Sequence, residues 1–282
     1  MTAAKARHLE QTAHVLLGNS HAYEAREICQ LVCQSKFATA ESYSILASTF
    51  LTGFGDEGKA QLAKKYLEKA LQLDAKSSSA YNILALLANE EGRFDDTIKY
   101  ANLAIANPPI PIQAYQSKAS ALANLNRNSE ALTVINKAQA LDNPATNPGI
   151  LWVKGNILEN LKSYKEAADC YEKSLKLYDT DWVYFRLVHC LEMQNKIAQA
   201  IAVTNKIIIR NSKDGEAYRT RALLKVKSQD LAGAVKDYDA CLSLEPTAKT
   251  YRDRAQLHLK LGHKELFQRD QGEAQKIESR PF

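Results

Sequence analysis

The residue classes of this chain recur at intervals of about 34 along nearly its whole length, and no other property narrows its fold as much. The segments YNILALLANEEGRFDDTIKYANLAIANPP from Tyr81, AYQSKASALANLNRNSEALTVINKAQAL from Ala114 and EAYRTRALLKVKSQDLAGAVKDYDACLSLEP from Glu216 align on one another. With each unit numbered in columns from its own start, column 4 holds Tyr43, Tyr81, Tyr115, Tyr184, Tyr218 and Tyr251. Column 8 holds Ala13, Ala47, Ala85, Ala119, Gly155, Val188, Ala222 and Ala255, and column 20 holds Ala25, Ala63, Thr97, Ala131, Ala167, Ala200 and Ala234. Column 27 is looser, with Val32, Ala70, Ala104, Ala138, Ser174, Ile207, Cys241 and Ala274.

Within each unit an apolar stripe of helical period runs for about 13 residues, breaks at a short polar turn and resumes. The turns include Glu91-Gly92-Arg93, Leu161-Lys162-Ser163 and Leu261-Gly262-His263. Each unit therefore reads as a helical hairpin. A small residue midway along each helix lets two backbones approach, and the large aromatic of column 4 fills the wedge between hairpins. One hairpin cannot bury both faces, so the units must stack. Glycine and proline, at 11 and 7 copies, are too sparse for the turns of a many-stranded sheet.

On these columns the chain resembles the tetratricopeptide repeat. The likeness covers units beginning near Ala6, Ala40, Ser78, Ile112, Pro148, Asp181, Gly215 and Ala248, spanning 6–39, 40–77, 78–111, 112–147, 148–180, 181–214, 215–247 and 248–281. HEAT-type hairpins also stack, but their period is longer and the alanine columns suit them less. The first unit has Leu9 at column 4, the last has Phe267 where a small residue belongs, and the second carries extra residues around Gly53-Phe54-Gly55-Asp56-Glu57-Gly58, expected to form a surface loop. The resemblance implies an all-α, right-handed superhelical solenoid, one domain over residues 1–282, with atypical terminal units acting as caps. It also implies a concave groove lined by the first helix of each unit at columns 2, 5, 9, 12 and 13.

Those columns change character along the chain. Units one and two offer Arg7, Glu10, His14, Glu41, Ser44 and Ser48, a mixed polar strip. Units three to five offer Asn82, Asn89, Gln113, Gln116, Asn124, Asn156 and Asn160, amides able to pair with the N–H and C=O of an extended peptide, or simply soluble helix-surface residues. Units five and six offer Trp152, Glu159, Trp182, Phe185, His189, Glu192 and Met193, the residue types that anchor interfaces. Leu151 occupies column 4 beside Trp152, so a one-residue shift would turn Trp152 into the core aromatic. Units seven and eight offer Arg219, Lys227, Lys249, Arg252 and Lys260, a cationic strip suited to an acidic or C-terminal segment, or one that merely aids solubility.

The residues give no support to catalysis. The six histidines lack Cys, Asp or Glu at ligand spacing, His21, His258 and His263 are expected at turns or helix surfaces, and there is no P-loop or GxGxxG. No cofactor or metal is expected. The five cysteines lack CxxC spacing and read as buried, reduced thiols; Cys29 and Cys33, one helical turn apart, would be the only candidates for redox or metal chemistry. The net charge of +5, from 37 basic and 32 acidic residues, is too small to imply nucleic-acid binding, although 16 Lys or Arg against 11 Asp or Glu follow from Asn205 onward. The column 4 tyrosines lie between hairpins rather than in the groove, which also argues against RNA. No apolar run is long enough to span a bilayer, and residues Met1 to Leu17 form neither a secretory signal nor a transit peptide, so a cytosolic or nuclear location is expected.

Tetratricopeptide domains that grip heat-shock chaperone tails carry Lys and Asn at columns 5 and 9 of one unit, Asn at column 6 of the next, and Lys and Arg at columns 2 and 6 of a third. No three units match: Asn156 is present, but Trp152 replaces the lysine and Arg186 the second asparagine. The expected role is a non-catalytic scaffold or adaptor that binds an extended peptide or partner helix in its concave groove, with a permanent subunit of a large complex or an RNA-binding repeat as alternatives.

Overall fold

The computed structural model describes residues 1–18, 21–51, 57–141 and 147–279, and among them all regular structure is helical. Two compact units divide the chain, Met1–Asn160 and Leu161–Phe282. The N-terminal unit holds α1 (Ala3–Gly18), α2 (Ala22–Cys33), α3 (Ala40–Ser48), α4 (Glu57–Leu73), α5 (Ser78–Glu90), α6 (Phe94–Ala106), α7 (Ile112–Asn124), α8 (Asn128–Leu141) and α9 (Pro148–Asn160). The C-terminal unit holds α10 (Tyr164–Leu177), α11 (Asp181–Met193), α12 (Ile197–Arg210), α13 (Gly215–Lys227), α14 (Leu231–Leu244), α15 (Ala248–Lys260) and α16 (Lys264–Glu278). Within the N-terminal unit α3 packs on α4 and α5, and α5 packs on α6 and α7. This is the alternation of hairpin and stacked neighbour that a solenoid requires. Of the expected surface loop, Gly53 to Asp56 lie outside the described residues, and Glu57 and Gly58 belong to α4 rather than to a loop.

Helix starts follow local chemistry. Pro148 opens α9, where a missing N–H costs nothing, and Thr39, Asp214, Asp230 and Thr247 accept first-turn N–H groups as caps of α3, α13, α14 and α15. Thr39 and Ser42 close a reciprocal capping box.

The small columns are where the helices touch. Ala13, Ala47, Ala85, Ala119, Ala222 and Ala255 of column 8, and Ala25, Ala63, Thr97, Ala131, Ala167, Ala200 and Ala234 of column 20, are each at 0% exposure. A larger side chain at any of them would push two backbones apart in an interior packed to crystal density.

The turn between the helices of a hairpin has a conformational rule of its own. Column 15 is left-handed in six units: Gly92, Asn126, Lys162, Asn195, Gln229 and Gly262 have φ between 59° and 78°. In five of them, all but Lys162, the residue after it sends its N–H back to the carbonyl five before, as from Arg93 to Ala88 (2.8 Å), Arg127 to Leu122 (2.8 Å) and His263 to His258 (2.9 Å). These are Schellman closures, which favour glycine at the left-handed position. Lys162 and Gln229 hold that conformation against their own Cβ atoms. Lys162→Gly and Gln229→Gly should each raise stability by about 0.5–1 kcal/mol, since relief of about 1–2 kcal/mol outweighs the greater entropy loss of glycine. A rise in the urea midpoint at unchanged slope checks this.

Columns 4, 7 and 23 meet beside each hairpin and differ between the two units. In the N-terminal unit Tyr43 stacks on Tyr66 (6.3 Å) and Tyr81 on Tyr100 (6.5 Å). In the seventh and eighth repeats, within the C-terminal unit, an arginine at column 7 lies over the column 4 ring instead. Arg221 lies over Tyr218 (5.5 Å) and binds both carboxylate oxygens of Asp237 (2.9 and 2.6 Å), with Asn205 of the preceding hairpin accepting a third bond (2.7 Å). Arg254 repeats the arrangement over Tyr251 (5.6 Å), with Asp270 (2.7 and 2.7 Å) and Asp239 (2.6 Å).

Candidate functional site

On the N-terminal unit most groove-column polar groups are spent on the fold. Glu10 of α1 accepts hydrogen bonds from Thr39 (2.6 Å) and Ser42 at the start of α3. Ser44 and Ser48 donate to Ala40 (2.8 Å) and Ile45 (2.9 Å) of their own helix. Gln116 donates to Asn147 (3.1 Å), whose Oδ1 also accepts from the N–H groups of Gly149 and Ile150 at the start of α9. Asn124 folds back on the Ser120 carbonyl (3.0 Å), and Asn160 donates to Asn128 at the start of α8 (3.3 Å).

Asn82 and Asn89 differ. Both lie on α5, two turns apart, and the Oδ1 of each is enclosed without a hydrogen-bond partner. An enclosed acceptor left unmade costs about 1–3 kcal/mol, a penalty that each of these two amides would shed by turning outward to a donor. Further along, Asn156 is half-buried and Glu159 is buried at 8% exposure rather than presented to a ligand. Trp152 packs on the cluster of Ala119, Leu122, Ile135, Val153 and Ile157, in the manner of a core aromatic, while Leu151 beside it is also buried.

On the C-terminal unit the exposed face of α11 is apolar. Trp182 is 47% exposed and Met193 50%, with Phe185 half-buried between them and His189 edge-on to Tyr164 (6.1 Å). Leu223 and Leu259, in columns 9 and 12 of the next two units, are also exposed. Sequence reasoning passed over these leucines because the flanking Lys and Arg dominated the pattern; an unexplained leucine in a groove column was the available signal.

Three charges of the expected cationic strip have acidic partners within the C-terminal unit. Arg219 binds Glu216 through two nitrogens (2.9 and 2.8 Å) and Asp253 of the next unit through a third (2.9 Å). Lys227 pairs with Glu192, and Arg252 with Glu278. Acids from neighbouring helices meet these charges, and the Arg219 bonds hold the Glu216 carboxyl below its ordinary pKa. Lys249 and Lys260 remain exposed. The face thus carries exposed apolar side chains, ion pairs and two exposed lysines.

Nothing in the described residues groups three metal-ligating side chains, and no helix among them is long and apolar enough to cross a membrane. Burial pushes the Cys29 and Cys33 thiols up to about 12, each helped by nearby acidic groups, which leaves them protonated at neutral pH. His258, expected on a surface, is instead buried between α15 and α16, with Nδ1 unpartnered and Nε2 3.8 Å from Asp270. Burial holds its pKa below the usual histidine value despite the opposing pull of Asp270.

Tetratricopeptide-repeat profiles match residues 52–109, 112–144 and 148–181. The Hsp70-Hsp90 organizing protein of Triticum aestivum is 28% identical over 195 residues, 66% of this chain; the chain spans about a third of that relative's length, 32%. A tetratricopeptide repeat protein from Parabacteroides merdae superimposes with a TM-score of 0.58 at 20% identity, over 84% of this chain and 93% of that one. A chain from the APC/C hetero-tetramer Cut9-Hcn1 superimposes with a TM-score of 0.64 at 16% identity, over 89% of this chain and 48% of that one. At these identities the structural likenesses speak to the fold alone.

Proposed function

We propose that this chain, a protein of the tetratricopeptide-repeat superfamily, holds a protein partner along the exposed faces of its first helices and performs no chemistry there. Proteins of this fold are generally non-catalytic scaffolds, and the groove columns here supply hydrogen-bond acceptors and apolar anchors rather than a nucleophile beside a base.

The observation that carries the reading is the pair of enclosed amide oxygens of Asn82 and Asn89. Their spacing of seven residues puts them two turns, or about 10 Å, apart along α5. Alternate N–H groups on one edge of an extended peptide fall about 6.6–6.8 Å apart, so one segment reaches both amides once their side chains turn outward and lean toward each other. Such bonds select for an extended backbone rather than a particular sequence. On the C-terminal unit, taken by itself, Trp182, Phe185 and Met193 offer large apolar area that a partner buries at little entropic cost.

The relative from wheat is named for organising Hsp70 and Hsp90. The groove columns here lack the chaperone-tail set, and Arg219 and Arg252 are already engaged by carboxylates, so chaperone tails are not the partner we propose.

Peptides selected from a random library on the full chain test the amide reading. Asn82→Ala with Asn89→Ala should weaken the selected peptides at least tenfold by calorimetry, since each lost bond to an enclosed group is worth about 1 kcal/mol or more. Affinities unchanged in the double variant would remove the amides from the site.

A further inference from the structure

The recurring cluster of columns 7, 23 and 25 exposes one position where it is incomplete. In the seventh unit Arg221 at column 7 meets Asp237 at column 23 and Asn205 at column 25 of the preceding unit. In the eighth, Arg254 meets Asp270 and Asp239 in the same geometry. The fourth unit has the cation, Lys118, and the preceding unit has the column 25 amide, Asn102, but column 23 is Val134. Where the carboxylate would stand there is a cavity of about 290 Å3 among α6, α7 and α8. Lys118, Asn102, Arg127 and Thr133 line its polar side, and Ile98, Leu122 and Val134 its apolar side.

We infer that this cavity is a binding site for a single carboxylate supplied from outside the chain, with Lys118 as its counter-ion. Among the described residues no acid lies within ion-pair distance of Lys118. The nearest acid in the lining, Glu130, is held by two nitrogens of Arg127 (2.8 and 2.7 Å) and is not available to it. Half-buried, with Lys137 and Arg127 as like-charged neighbours, Lys118 has its pKa held down, first by burial and then by those charges, against the opposing pull of Glu130. A bound carboxylate reverses that penalty as Asp237 does for Arg221. The methylenes of a short acidic side chain or dicarboxylic acid fit against Ile98, Leu122 and Val134.

Two sources share this chemistry: a glutamate or aspartate side chain of a protein segment, and a free small dicarboxylate. Glutamate capped at both ends as amides and succinate are therefore titrated separately into the full chain carrying 13C-labelled lysine, with sodium chloride at matched ionic strength as control. The expected result is a saturable shift of the Lys118 Cε signal in the millimolar range with at least one of them. Tighter binding of the capped residue assigns the source to a protein side chain, and tighter binding of succinate to a free acid; either supports the site. Lys118→Gln should weaken binding at least tenfold, read from amide signals of α7 and α8. Val134→Asp restores the intramolecular pair, so it should raise the Lys118 pKa and abolish the saturable shift. A wild-type response no greater than that to chloride, or a Lys118→Gln protein that binds as tightly as wild type, overturns the proposal. A Val134→Asp protein that folds normally and still binds also overturns it.

Discussion

Replacing Asp270 with alanine is expected to lower the stability of the chain by about 3–5 kcal/mol, far more than an average surface substitution. Its carboxylate is fully buried and takes both forks of Arg254, whose side chain is itself 11% exposed. Removing the acid leaves an enclosed cation between α15 and α16, where the other acceptor, Asp239, is exposed. Asp237→Ala should behave alike, since Asp237 is buried and holds both Arg221 and Lys225. Urea unfolding followed by circular dichroism measures both. A double variant, Arg254→Met with Asp270→Leu, should recover most of the loss, because the penalty belongs to an unpaired charge rather than to the missing pair. In a solenoid each hairpin leans on its neighbours, so loss of the eighth also exposes the seventh.

Trp182→Ala combined with Phe185→Ala should do the opposite: leave stability nearly unchanged and weaken partner binding about 30-fold or more, the cost of about 2 kcal/mol expected for aromatic anchors. Trp182 is about half exposed, so its truncation opens little cavity, whereas Trp152→Ala would strip the cluster around Leu122 and Ile135. The two tryptophans thus separate folding from binding. Peptides selected on the wild-type chain, measured against both variants by calorimetry, show whether they do.

The hairpin pattern was legible because sterics repeat. Ala47, Ala85 and Ala119 are small where helices cross, and that demand returns every unit whatever the surface carries. Column 4 tyrosines were legible for the same reason. The charges were not, because a column fixes a position on one helix and says nothing of which neighbouring helix reaches it. Arg219 looked available until Asp253, 34 residues on, proved to lie against it. His258 was expected at a turn or helix surface, yet its turn of α15 faces α16 and the buried Asp270. The left-handed turn residues show a further limit. Gly92 and Gly262 announce the conformation, while Lys162 and Gln229 adopt it unannounced; at Gln229 the Schellman closure from Asp230 to Lys225 imposes it.

The same distinction governs the candidate site. Amides in groove columns were visible in the sequence, but which of them remain unmet depends on local partners. Asn124 is satisfied by Ser120 one turn away and Asn160 by Asn128, leaving Asn82 and Asn89 as acceptors without donors.

The claim that first helices form the partner-binding face is tested most directly by hydrogen exchange on the full chain, with and without a selected peptide at saturation. The account predicts new protection concentrated in α5 or in α11, according to which unit the peptide engages, with amides of α6 and α12 little changed. Protection confined to the second helices of the hairpins, with α5 and α11 exchanging as in the free chain, would contradict it.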